Sequence, residues 1–301
     1  MSDQAERLRR LVEMRQRATP AAARPDRERD ARVITVTSGK GGVGKSNFTL
    51  NFSIALQQLG YRVLIFDADI GLANIDVLMG ISPQYSLYHL LKKEKSILDI
   101  VQIGYGGIRF IAGGSGFTDL LRLSEEDLND FAEQVGQLSG HFDYILFDTG
   151  AGLSKETMKF ILAAHETFVV TTPEPTSLTD GYAVIKMVHQ QEEAVRFRLV
   201  VNRVSGEREG RATADKITLV AKRFLGIEIP TLGYVTDDPH VSQAVRKQMP
   251  FTAAFPDSRA AREIRKIAEQ YAGSHLDEPE TMPDIKGFLS RMLRLLSSSK
   301  S

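Results

Sequence analysis

Hydrophobic and polar positions divide the chain into three zones. Residues 2–17, SDQAERLRRLVEMRQR, are rich in helix formers, and Ala5, Leu8 and Val12, with Leu11 less regularly, recur along one side. The pattern predicts an N-terminal helix over residues 1–17. The next stretch, ATPAAARPDRERDA, carries prolines and arginines without apolar periodicity and reads as a flexible linker over 18–31. From Arg32 the text changes to short β-branched or aromatic runs: RVITVTS, RVLIFDAD, IRFIAG, YILFDTG, TFVVTTPE, FRLVVNRV and TLGYVTDD. Each is too short for a helix, lacks polar alternation and precedes a segment of helical character. Parallel strands covered on both faces have this signature. Residues 32–273 are therefore expected to form a doubly wound α/β domain with a mostly parallel sheet, closed by the helix in SRAAREIRKIAEQYAG with Gly273 as its stop.

A polar linker over 274–284 leads to the third zone, IKGFLSRMLRLLSSSK, a helix expected over 285–297. At helical spacing Ile285, Phe288, Leu289, Met292, Leu293, Leu295 and Leu296 share one side, with Lys286, Ser290, Arg291 and Arg294 opposite. A short amphipathic helix behind a linker suits an interfacial membrane anchor. It also suits a final helix that lays its apolar face on the domain, and the two arrangements can alternate.

Composition narrows the function. The chain has 301 residues and no cysteine, so disulfides, iron–sulfur clusters and thiolate zinc sites are excluded. Thirty-eight basic residues balance thirty-eight acidic ones, so net charge gives no reason to expect nucleic acid as a partner. The arginine-rich first thirty residues also hold acids and lack the apolar core of a secretory signal. No apolar run approaches the roughly 20 residues that span a bilayer. The expected location is the cytoplasm, or the inner face of a membrane.

The chemistry is concentrated in TSGKGGVGKSN. The phosphate-loop pattern G-x-x-x-x-G-K-[ST] is complete from Gly39 to Ser46, between a strand and a helix that begins near Lys45. Backbone N–H groups and a helix N-terminus there converge on phosphate oxygens. The candidate nucleotide contacts are Gly39, Lys40, Gly41, Gly42, Val43, Gly44, Lys45, Ser46 and Asn47. Lys45 would grip the β- and γ-phosphates and Ser46 would place its hydroxyl on magnesium. Lys40 is one lysine more than such a loop needs. Asp67 and Asp69 follow the second strand, and Asp148 closes the buried run YILFDTG, which fits a Walker B carboxylate that holds magnesium through water. Gly150 and Gly152 would let the backbone approach the γ-phosphate.

The stretch KGGVGKS resembles the deviant Walker A motif of the MinD/ParA family of ATPases, and the resemblance covers roughly Arg32 to Gly273. It implies Mg2+-dependent hydrolysis of ATP to ADP and a homodimer in which Lys40 reaches across to the partner's nucleotide. It further implies that Asp67 supports the magnesium shell, Asp69 positions the attacking water, and Asn202, with Arg203 beside it, meets the adenine. Family members often have proline where Gly150 stands, which points to different switch dynamics here. The C-terminal helix is similar to the membrane-targeting helix of MinD and its flagellar relatives, so Ile285, Phe288, Leu289, Met292, Leu293 and Leu296 are expected to contact anionic inner-membrane lipid. DQAERLRRLV resembles the activator motif of the family's flagellar branch, the FlhG proteins. Asp3, Gln4, Ala5, Leu8 and Arg9 match it, which implies an FlhF-type GTPase as partner and flagellar basal-body (C-ring) proteins as further ones. The alternatives are a division-site or cargo-positioning ATPase and, from another class, a ParA-like scaffold that binds DNA without sequence preference.

Overall fold

The structure, a computed structural model, describes residues 31–69, 74–114, 125–192, 194–274 and 285–297. Eight strands form one sheet: β1 (Arg32–Thr37), β2 (Val63–Ala68), β3 (Gln102–Ile103), β4 (Arg109–Ile111), β5 (Tyr144–Thr149), β6 (Glu166–Thr171), β7 (Phe197–Val204) and β8 (Thr231–Thr236). Their order is β3-β4-β2-β5-β1-β6-β7-β8. All neighbours are parallel except β3 and β4. The two-residue β3 was not anticipated, because two residues carry no periodicity.

Alternation along the strands assigns the faces. Ile34, Val36, Ile65, Leu146, Phe168 and Val170 point to one side, where they meet helices α1 (Lys45–Gln58) and α10 (Arg259–Ser274). Phe52 of α1 is fully buried and packs edge-on against Phe168 and Tyr271; burying such a ring contributes about 1.5–3 kcal/mol. Val33, Leu64, Phe66, Ile145 and Phe147 point to the other side, beneath α3 (Leu87–Leu91), α4 (Glu125–Gly136) and α5 (Lys155–Ala163). Farther along that side α6 (Pro175–Gln191) and α7 (Glu207–Leu225) cover β6 and β7. Short helices α2 (Ile75–Met79), α8 (Pro239–Arg246) and α9 (Phe251–Ala254) complete the layer around α1.

Both limits of the domain shift slightly. Ala31 is buried with the second cluster rather than belonging to a free linker. Helix α10 also runs through Gly273 to Ser274 instead of stopping at the glycine.

The C-terminal helix, α11 (Ile285–Ser297), adopts the second of the two arrangements that its sequence allows, docked on the domain. Ile285, Phe288, Leu289 and Met292 are buried on the domain, and Phe288 stacks on Phe147 with ring centroids 4.8 Å apart. The apolar stripe has found a protein surface, between α4 and α5. A membrane role for these four residues therefore requires the helix to undock. The side chains of Leu293 and Leu296 lie outside the described residues, as do Asp3, Gln4, Ala5, Leu8 and Arg9.

This packing is testable. Phe288→Ala should lower the stability of the nucleotide-free protein by about 3 kcal/mol, the usual cost of emptying a buried aromatic site. Urea unfolding followed by circular dichroism measures it, and a change below about 0.5 kcal/mol would mean that α11 does not fold with the domain.

Candidate nucleotide site

Strand β1 lies between β5 and β6, while the chain continues from β1 to β2 beyond β5. The loop after β1 therefore opens at a topological switch point, where open α/β sheets bind ligands. Gly42 and Gly44 adopt φ of +79° and +93°, a left-handed region that favours glycine. Gly39 is required by close approach: a Cβ there would lie 2.2 Å from the carbonyl carbon of Asp180 in α6. Gly44 ends the loop and α1 starts at Lys45, so the first N–H groups of α1 have no acceptors within the helix.

Below the loop sits a buried ionic group. Lys45 Nζ donates to Asp148 Oδ1 at 2.9 Å and to Ser46 Oγ at 3.3 Å. Thr49 Oγ1 donates to the same Asp148 oxygen at 2.9 Å. The second carboxylate oxygen, Asp148 Oδ2, is buried without a hydrogen-bond partner. Asp67 stands opposite Asp148 on the adjacent strand. Its Oδ2 accepts from the backbone N–H groups of Asn74 and Ile75 at 2.8 and 3.1 Å. Burial, then repulsion from Asp148, push its pKa up to about 7 despite those donors. Asp69 is held from the other direction, its Oδ2 accepting from Asn74 Nδ2 at 3.2 Å.

These oxygens fit magnesium. An orphaned carboxylate oxygen, a second carboxylate destabilised by the first, and the Ser46 hydroxyl form the hard, oxygen-only donor set that this ion takes. When bound, magnesium neutralises the β- and γ-phosphate charge. The Lys45 ammonium has three N–H groups, and its bonds to Asp148 and Ser46 leave one for a phosphate oxygen.

Lys40 is held apart from this group. Its Nζ donates to Glu174 Oε2 and Thr176 Oγ1, each at 3.2 Å, at a site where both charged side chains are about half exposed. Sequence reasoning missed Glu174, Thr176 and Thr49. The TTPEPT segment after β6 was a usable signal, since it too ends a buried parallel strand. Asn202 reaches the loop: its Nδ2 donates to Val43 O at 2.8 Å. It braces the loop backbone, and its carbonyl oxygen and second amide N–H remain for a base. Arg203 beside it is exposed, in a left-handed conformation with φ of +55°. Gly152 N donates to Ser38 O at 2.8 Å and ties the segment after β5 to the loop. Asn47 lies in the first turn of α1, its carbonyl accepting from Asn51 Nδ2.

A glycine loop opening onto a helix N-terminus, a buried lysine paired with a carboxylate and a second carboxylate beside it are the geometry of a P-loop nucleotide hydrolase. A family model described as ParA, an NUBPL iron-transfer P-loop NTPase, matches residues 30–272. The chain is 37% identical to the antiactivator FleN of Pseudomonas aeruginosa over 79% of this chain and 85% of that protein. It is 34% identical to the flagellum site-determining protein YlxH of Helicobacter pylori over 98% of this chain and all of that protein. The Pyrococcus horikoshii septum site-determining protein MinD, solved with Mg-ADP, matches with a TM-score of 0.65 and 25% identity, covering 82% of this chain and 100% of that one. The chain belongs to the ParA/MinD family of P-loop NTPases and is an ATPase. Iron transfer through thiolates is foreign to this member, which has no cysteine.

The raised pKa of Asp67, caused first by burial and then by Asp148, predicts a pH signature. A carboxyl whose folded pKa is raised from 3.8 to about 7 costs nothing while it is protonated in both states. The cost grows as pH rises between the two values and is complete above the upper one, about 4 kcal/mol in the limit. Asp67→Asn should therefore stabilise the magnesium- and nucleotide-free protein near pH 8, with a gain that shrinks toward about pH 5, while ATP turnover is lost. Thermal unfolding in EDTA at the two pH values checks this, and an equal effect at both would refute the raised pKa.

Proposed function

We infer that this ATPase uses ATP binding to dimerise and to associate with the inner face of the cell membrane, and that it regulates the number or placement of flagella. The observation that carries the dimer is the division of labour between the lysines. Lys45 is buried with Asp148, whereas Lys40 is held at the protein's surface by Glu174, in reach of a second copy. In the proposed cycle ATP and magnesium draw Lys45 off Asp148, Lys40 leaves Glu174 for the partner's phosphates, and Asp69 positions the attacking water. Hydrolysis dissolves the dimer.

The docked α11 supplies the membrane switch. Its apolar stripe is covered without nucleotide and would be freed in the dimer, where two weakly binding helices act together on anionic lipid. FleN and YlxH, by their names an antiactivator and a flagellum site-determining protein, support the flagellar assignment. The matches to Asp3, Gln4, Ala5, Leu8 and Arg9 support an N-terminal helix that stimulates an FlhF-type GTPase. Basal-body C-ring proteins complete the proposed partners.

The test is GTP turnover by an FlhF-type GTPase with and without a peptide of residues 1–22. Stimulation abolished by Gln4→Ala is the expected outcome. A competent GTPase that does not respond removes the flagellar assignment and leaves the ATPase.

A further inference from the structure

The free edge of the sheet carries a groove that the nucleotide chemistry does not use. It has a volume of about 440 Å3 and is walled by Arg62, Leu98, Ile103, Arg109, His141 and Phe142, with no carboxylate in its lining. Arg109 begins β4, Arg62 immediately precedes β2 and Phe142 precedes β5, so the groove lies at the N-terminal ends of these parallel strands. The phosphate loop and both magnesium carboxylates lie at the other end, about 20 Å away for strands of this length. An occupant of the groove leaves the nucleotide pocket open.

Two kinds of side chain stand out. Ile103 and Leu98 are 69% and 48% exposed, large for aliphatic residues beside one another on a soluble surface. Arg62 is spent on the fold: its guanidinium bonds Asp143 through Nε and Nη2 at 3.3 and 3.0 Å, and Gly140 O through Nη1 at 2.6 Å. Arg109 is not. Its guanidinium lies 6.0 Å from the centre of the Phe142 ring and forms no ion pair among the described residues. Ring contact orients the plane and leaves its N–H groups available for a carboxylate. The backbone adds a third element, because β3 pairs with β4 and has no strand on its other side among the described residues.

We propose that this groove docks an extended segment of a partner protein, in which a Glu or Asp engages Arg109 and flanking aliphatic residues cover Leu98 and Ile103. Charge selects the occupant. A second copy of the same edge would bring a second Arg109 and no carboxylate from the groove lining to answer the first. A concave groove beside a short open strand suits an extended chain, with main-chain pairing adding to the side-chain contacts.

The probe is a fluorescein-labelled peptide of about nine residues with Leu-Glu-Ile at its centre, beside otherwise identical Leu-Gln-Ile and Leu-Lys-Ile peptides. Each is titrated into the full chain and followed by anisotropy. Saturable binding of the Glu peptide should weaken about tenfold in Ile103→Ser and in Arg109→Glu, and Arg109→Glu should prefer the Lys peptide. ATP turnover reports that both surface variants remain folded. The proposal is overturned if no peptide binds saturably or if Arg109→Glu leaves Glu-peptide affinity unchanged. It also fails if the variants alter only self-association or sedimentation with phosphatidylglycerol vesicles, which would make the surface an interface between copies or with lipid.

Discussion

The buried pair of Lys45 and Asp148 is the interaction on which the rest depends. An ammonium and a carboxylate almost wholly removed from water are tolerable only as partners, and breaking such a pair by removing one member is costly. Here the pair is provisional. Thr49 satisfies part of Asp148, one carboxylate oxygen has no partner, and neighbouring Asp67 is itself destabilised by burial and then by that charge. In the proposed cycle phosphate would take the lysine and magnesium the carboxylates, which answers all three conditions.

The pair also lies one residue from the C-terminal helix. Asp148 and Phe147 are adjacent on β5, so their side chains leave opposite faces of one strand. Asp148 serves the phosphate loop, and Phe147 stacks on Phe288 of α11. In the proposed cycle a shift of β5 when Asp148 changes partner would be felt directly beneath the helix, through closely packed rings. This gives the proposed switch a short path with named atoms: phosphate, Lys45, Asp148, Phe147, Phe288.

Much of this was legible in the amino-acid sequence because the signals were local. The loop from Gly39 to Ser46 and the carboxylates closing β2 and β5 are read directly from spacing, and buried parallel strands announce themselves as unbroken apolar runs. What escaped was tertiary. The amphipathic stripe of α11 states that something apolar covers it but not whether that is lipid or protein, and here it is the surface between α4 and α5. Gly273 looked like a helix terminator, yet α10 continues through it because Tyr271 and Ala272 are anchored in the core. Glu174 lies more than a hundred residues from Lys40, beyond any periodicity. Asn202 was read as a base contact, and the bond from its amide nitrogen to Val43, which adds a role in bracing the loop, was not foreseen.

The central claim is that catalysis requires Lys40 of one copy at the nucleotide of another. ATP turnover per protomer, followed as protein concentration is varied, tests it most directly. The account predicts that specific activity rises with concentration to a plateau and that Lys40→Ala stays flat and low throughout. Turnover per protomer that is independent of concentration in the wild type, and retained in Lys40→Ala, would contradict it.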